Sequence, residues 1–244
     1  MPNINKSNRQ VCDVDIRVLK TMVPFLYFDT ANTTTAGFTA EDTYAKAKGA
    51  NRIAFTNPME GTLSIEAQVA PFKLYALLSD GVIDSSAVIA KKSTVTCSEA
   101  GKLTLPEGVK ADTVFVYKDG DFAGAEIKGT VANHVFTATN EADLAVGSDY
   151  EAGYLTVQEA GVQKISFNNK KNPQDYYITM STVEKDEAGV LTPYLITAYK
   201  AKPKKNIELS FSSEGDPASI KVEFSVLEDK DGNVIDMVEL GDAE

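Results

Sequence analysis

Few residues in this chain stand in spacings that do chemistry. The single histidine, His134, lies in Val-Ala-Asn-His-Val-Phe at 131–136. Beside Val135 and Phe136 it reads as a half-exposed strand residue rather than a catalytic base. No nucleophile-elbow pattern supplies the serine that a triad needs. Asp-Lys-Asp-Gly-Asn at 229–233 has the front of a calcium loop, but Gly232 falls at the fourth position instead of the sixth, and no Glu stands at the twelfth. A hairpin turn is expected there, and Asp-Gly-Asp at 119–121 reads the same way. Asp13 and Asp15 share one face of any strand they lie on. An acidic chain yields such pairs by chance, so they do not establish glycosidase chemistry. No Gly-rich phosphate loop or dinucleotide fingerprint appears. The expectation is a protein with no catalytic, cofactor-binding or metal-binding residues, and hence not an enzyme.

The totals narrow the function further. The chain has 244 residues, 43% of them hydrophobic, a net charge of −11 and a pI of about 4.7. It can bury a core, and its acidity argues against binding by phosphate neutralisation. The basic run Lys-Ala-Lys-Pro-Lys-Lys at 200–205 is short; it reads as a solvated linker or a positive patch meeting an acidic neighbour. The two cysteines, Cys12 and Cys97, fit neither a disulfide framework nor a zinc site and are expected as free thiols. No signal peptide pattern opens the chain, and no apolar run reaches the ~20 residues that span a bilayer. Synthesis in a cytoplasm is expected.

Antiparallel strands must organise these residues. Val222, Phe224 and Val226 alternate with Lys221, Glu223 and Ser225, and Ile207, Leu209 and Phe211 alternate in the same way, which predicts strands with one buried face. Reversals are expected at 185–189, at Ser-Ser-Glu-Gly-Asp-Pro (212–217) and at 228–233, where Asp231-Gly232 is a hairpin signal. Val14, Ile16 and Val18 mark a first strand, and 23–28 a second, with Pro24 suggesting an edge. Residues 1–10 read as a flexible arm. The Thr- and Ala-rich segment 29–49 reads as a long functional loop. Residues 53–55 and 62–69 read as strands joined by a turn at Asn57-Pro58 and Gly61. Pro71 opens the one convincing helix, with Phe72, Tyr75 and Leu78 on a stripe widened by Leu74 and Leu77. From 94 to 158 the texture changes to short strands at 102–105, 113–117, 134–138 and 150–157, separated by turn signals, which suggests a small sandwich. This stretch carries four Lys and ten Asp or Glu, the denser acid load. The expected domains are a host formed by 1–93 and 159–244, and a β module inserted at 94–158.

The two ends of the chain carry a resemblance. Gly-Thr-Leu-Ser-Ile-Glu-Ala-Gln-Val-Ala-Pro-Phe-Lys-Leu-Tyr-Ala-Leu-Leu at 61–78 resembles the strand-then-helix of bacteriophage major tail proteins, the tail tube subunits. Ile-Thr-Ala-Tyr-Lys-Ala-Lys-Pro at 196–203, the strand ending at Phe211, the turn 212–217 and Val-Glu-Phe-Ser-Val at 222–226 resemble their closing strands. The resemblance covers the host, about two thirds of the chain. It implies a mainly β fold: a tail-tube-like β-sandwich or barrel with one flanking α-helix, here with a small inserted β-sandwich, since some tail tube proteins carry an added immunoglobulin-like domain. It implies a structural virion protein that self-assembles into hexameric rings stacked into a tube, the conduit for DNA during ejection. Its partners would then be itself and other tail proteins such as the tape measure, the baseplate or tip, the terminator and a sheath. DNA would pass without specific binding, and no membrane is involved. The alternatives are a capsid decoration protein or other virion structural protein, and then an extracellular binding module. For the tube, residues 1–10, 29–49 and 240–244 are candidates for reaching the next ring. Asp13 with Asp15, and Glu184 with Asp186, are candidate lumen-facing pairs.

Overall fold

The computed structural model describes residues 5–209 and 213–241. The first four residues of the expected flexible arm, Phe211 with its neighbours 210 and 212, and the tail end 242–244 lie outside the described residues. The chain divides into two compact units, residues 1–82 with 165–244, and residues 83–164. The fold is mainly β.

The strands run in chain order from β1 (Lys6–Ser7), β2 (Asp13–Val18), β3 (Pro24–Phe28) and β4 (Thr33–Thr39) to β5 (Asp42–Ala47), β6 (Ala50–Thr56) and β7 (Glu60–Ala67). Helix α1 (Lys73–Ala76) follows. The second unit holds β8 (Ala87–Thr96), β9 (Lys102–Thr104), β10 (Phe115–Asp119), β11 (Ala123–Ile127), β12 (Gly129–Ala132), β13 (Val135–Ala138) and β14 (Asp149–Gln158). The chain then returns to the first unit with β15 (Tyr176–Asp186), β16 (Leu191–Pro203), β17 (Ile220–Leu227) and β18 (Ile235–Glu239).

In the first unit one nine-stranded antiparallel sheet runs β3-β2-β15-β16-β17-β7-β4, with β1 on β15 and β18 on β16. The long β16 holds it together: Tyr194 to Ala198 pair with β18, and Lys200 to Pro203 with β17. Of the sandwich or barrel expected, the barrel is not formed: the sheet stays open, because β3 and β4 end it as separate edges. Pro24 sits on the edge strand, where its missing N–H breaks no ladder. The alternating residues bury as their period requires. Val14 and Ile16, Tyr176, Ile178 and Met180, Val222, Phe224 and Val226, and Leu63 and Ile65 form one core. Helix α1 covers it with Leu74, Leu77 and Leu78. It is shorter than its apolar stripe predicts, and its tail is tightened by i→i+3 bonds such as Leu77 N–H to Leu74 O at 3.2 Å. Phe72, expected inward, is exposed, because the turn aims Leu74, Leu77 and Leu78 at the sheet instead.

Three sequence expectations change. Residues 6–7 of the arm are not free, but pair with Asp186 and Lys185 of β15. Segment 29–49 is not a loop: it carries β4 and β5. Residues 204–209 form no strand despite the alternation of Ile207 and Leu209, because an apolar period needs a neighbouring strand to satisfy its backbone, and 220–227 pairs with 61–67 instead.

Core energetics give a contrast. Truncating fully buried Phe224 to Ala should cost about 3–5 kcal/mol. Tyr176 is equally buried, and its ring packs edge-on to Phe25 at 5.4 Å, yet its phenol has no hydrogen-bond partner among the described residues. Burial therefore pushes its pKa up. Tyr176→Phe is expected to change stability by no more than about 1 kcal/mol, since no bond is lost and a desolvated hydroxyl is removed. Urea unfolding of both variants checks the pair.

The second unit is a sandwich of two antiparallel sheets, β11-β10-β14-β8 and β12-β13-β9. Leu103, Val116, Phe136, Tyr150, Ala152 and Tyr154 are among the residues of its own core. Strand β8 pairs along the whole of β14, from Thr96 opposite Asp149 to Ala87 opposite Gln158, so this unit begins before Thr94. A Cβ on Gly129 would collide with the carbonyl of Thr137 and the ring of Phe136. Gly129→Ala should therefore destabilise this unit by about 3 kcal/mol, as overpacking does. Hydrogen exchange is expected to lose protection across 83–164 and keep it in β15–β17.

Candidate functional site

The residues whose types and spacing could do chemistry do not converge. His134 is not in a strand. With Asn133 it forms the two-residue turn between β12 and β13, at φ 46° and 54°, and its carbonyl accepts from Leu105 N–H at 2.8 Å. The 229–233 segment is the expected turn. Asp229 accepts from the backbone amides of Asp231 at 2.9 Å and Asn233 at 2.8 Å, and Gly232 takes φ 83°. Desolvation raises the Asp229 carboxyl, but these hydrogen bonds outweigh it and hold the pKa below the usual range. Cys12 and Cys97 are both free. Among the described residues no three His, Cys, Asp or Glu side chains are grouped to hold a metal ion, and no helix is long and apolar enough to cross a membrane.

Two surfaces of the first unit stand out instead. One is the wet face of the sheet. Pairing sets Asp236 beside Thr197, Thr197 beside Thr179, Thr179 beside Asp15 and Asp15 beside Tyr27, one row across five strands. Antiparallel partners share a face, so Asp13, opposite Ser181, lies on it too. Arg17 bonds Asp15 at 2.8 Å, and Tyr27 donates to Asp13 at 3.2 Å. Tyr199 donates to Asp236, and this bond pushes its pKa up to about 12. The nearby Asp13 charge raises Tyr27 similarly. The second acidic pair does not join them. Glu184 and Asp186 lie at even positions on β15, and Thr179 and Ser181 at odd ones, so the pairs occupy opposite faces.

The other surface is an arm built by β5 and β6. Thr43 pairs with Phe55, Tyr44 with Ala54 and Ala45 with Ile53, and Lys48-Gly49 turn the chain at φ 52° and 79°. At its base Asn57 N–H donates to Glu41 O at 3.0 Å, which joins this hairpin to the β4–β7 pair. Every residue of β5 and β6 is exposed. Ile53 is 56% exposed and Phe55 58%, on one face of the hairpin. Lys46, Lys48 and Arg52 surround the turn, giving the arm a positive end on an acidic chain. A two-stranded hairpin with nothing packed on it is marginal in water, and bare β-branched and aromatic residues on it mark a contact surface. Sequence reading offered 29–49 as a candidate for reaching the next ring and read 53–55 as a strand, but did not pair the two. Thr and Ala supply no large apolar alternation, and only the partner strand 50–56 reveals the hairpin.

No curated protein matches the chain. The pattern of one protein family, named for YomU and Tube, fits residues 9–239. The name suggests a phage tube-like structural protein, part of a virion and without enzymatic activity. Matched over nearly its whole length, the chain belongs to the YomU/Tube protein family.

Proposed function

We infer that this protein is a phage tail tube subunit, which assembles by itself into hexameric rings stacked into a tube that conducts DNA during ejection. The observation that carries this reading is the bare arm of β5 and β6. Every residue of its two strands is exposed, and a second copy can cover the apolar ones. A ring that closes by rotation and stacks by translation needs distinct faces on one subunit, and the arm and the sheet edges β3 and β4 are such faces. The row of Asp13, Asp15 and Asp236 among Thr and Tyr suits a lumen, since an acidic, hydroxyl-rich wall repels phosphates and lets a duplex slide. Unit 83–164 is then an inserted immunoglobulin-like module, and such a module turned outward would crowd a surrounding sheath, which favours a tail without one. Tape measure, tip and terminator proteins would meet the two ends of the tube. Negative-stain microscopy of the purified chain tests the reading. Hollow tubes of stacked rings are expected, and a protein that stays monomeric across concentration and salt overturns it.

A further inference from the structure

The hairpin of β15 and β16 runs on past the strands that flank it. Pairing with β2 stops at Ser181, and pairing with β17 begins only at Lys200. Beyond these limits the wet face of the sheet turns apolar. Val183 lies opposite Pro193 and Leu195 opposite Val238, with Leu191 two residues from Pro193. Leu240 continues the row, its N–H bonded to Pro193 O at 2.9 Å. Antiparallel partners and alternate residues share a face, so these side chains form one patch. Leu191 is 56% exposed, Leu240 43% and Val238 39%. Val183 and Pro193, with Val11, line a hollow of about 490 Å³ beside Asp13.

An apolar patch rimmed by charge marks a contact surface, and the same chain carries a counterpart. The arm of β5 and β6 bares Ile53 and Phe55 on one face. The charges of the two surfaces are opposite. The segments that bear the patch, 181–195 and 235–240, hold Glu184, Asp186, Glu187, Asp236 and Glu239 against Lys185, a net charge of −4. Lys6 offsets one of these acids at Glu239. The arm, 42–56, holds Lys46, Lys48 and Arg52 against Asp42, a net charge of +2. None of its three cations is in an ion pair among the described residues. Patch against patch would bring acids together, and arm against arm would bring cations together, each a like-charge juxtaposition that costs affinity. Arm against patch is the pairing that apolar surface and charge both favour.

Every copy carries one arm and one patch, so such a contact is heterologous and repeats from copy to copy. The centre of the patch, at Val183 and Pro193, lies four residues along the strands from Thr179 and Thr197, about 13 Å. An arm can sit there without covering the row through Asp15 and Asp236. We propose that the arm of one copy docks on this patch of a second copy, Ile53 and Phe55 against Leu191, Pro193 and Leu240, with its cations toward the acids around them. The proposal rests on the self-assembly inferred above and names the surface that receives the arm.

Cysteine trapping of the full chain tests the proposal, in a Cys12→Ser background that leaves only the buried Cys97. One form carries Phe55→Cys, and the other, lengthened by a tag, carries Leu191→Cys. The two are mixed before assembly and mildly oxidised. On a non-reducing gel the mixed disulfide dimer is expected to exceed either homodimer about tenfold, and to fall at high salt, which screens the charges. Ala54→Cys, on the opposite face of the arm, replaces Phe55→Cys as the control and should give little of it. Leu191→Asp, exposed in the subunit, should weaken assembly roughly a hundredfold while circular dichroism stays native. A mixed dimer no more abundant than in the control, or homodimers in its place, overturns the proposal. Tubes without the mixed dimer overturn the docking and leave the tube reading standing. A mixed dimer in protein that forms no tubes supports the docking and overturns the tube.

Discussion

Replacing residues 42–56 by an Asn-Gly turn abolishes tube formation and leaves the subunit folded: this is the largest effect expected of any change to the chain. The Glu41 carbonyl and Asn57 amide already meet at 3.0 Å, so the shortened hairpin closes without displacing β4 or β7. Every residue of the removed strands is exposed in the subunit, and stability should change by no more than about 1 kcal/mol. Point variants separate the contact from the length of the arm. Ile53→Asp and Phe55→Asp are each exposed in the subunit, so they cost the monomer roughly 0.5 kcal/mol or less. In an apolar interface each leaves a carboxylate desolvated, costing about 3 kcal/mol, a loss of roughly 150-fold in affinity for every arm that must dock. Electron microscopy and sedimentation read the assembly, and thermal unfolding reads the fold. Tubes of normal length from the shortened chain would remove the arm from the assembly mechanism.

Exchanging Asp13, Asp15 and Asp236 together for Lys should turn a non-binding conduit into a DNA-binding one. The three lie on one face of the sheet, and each change reverses a charge that a passing phosphate would meet. All three stand outside the core, so folding and assembly should survive, with solvent-facing ion pairs contributing about 0–1 kcal/mol each. The lost Asp15–Arg17 pair, 2.7 Å between Oδ2 and Nη2, belongs to this class. Affinity for a short duplex should appear at low salt and fall steeply as salt rises, each neutralised phosphate adding roughly 0.9 to the slope of log K against log salt. Fluorescence anisotropy on assembled tubes at two salt concentrations measures it. Tight binding of duplex DNA by unaltered tubes would exclude a sliding conduit. The same exchange at Glu184 and Asp186, on the opposite face, is the control and should leave DNA unbound.

Much of the first unit's sheet was legible because half-buried antiparallel strands write their burial into the sequence. Val14 and Ile16, and Val222, Phe224 and Val226, alternate with polar neighbours, and each alternation becomes a strand with that face in the core. The turn at 229–233 was legible for a local reason: the Asp229 carboxylate satisfies amides two and four residues on. Strands β4 and β5 were not legible. Their Thr and Ala residues carry little contrast between faces, and β4 owes its place to β7, whose pairing runs from Thr33 opposite Glu66 to Thr39 opposite Glu60. Nor did the sequence show that 53–55 and 62–69 do not pair with one another. Each takes a different partner, β5 for the first, and β4 and β17 for the second.

Composition and periodicity by themselves determined that this is an acidic, mainly β protein, where its principal reversals fall, and that no familiar catalytic spacing is present. These are properties of residues and near neighbours, which the order of the chain carries directly. Tertiary structure alone decided which acids share a face, that the 204–209 alternation forms no strand, and that the apolar residues of β5 and β6 stay bare. Each of these depends on which distant segment lies alongside and in what register. A shift of one residue in pairing moves a whole set of side chains to the other face, and nothing within a single strand records it.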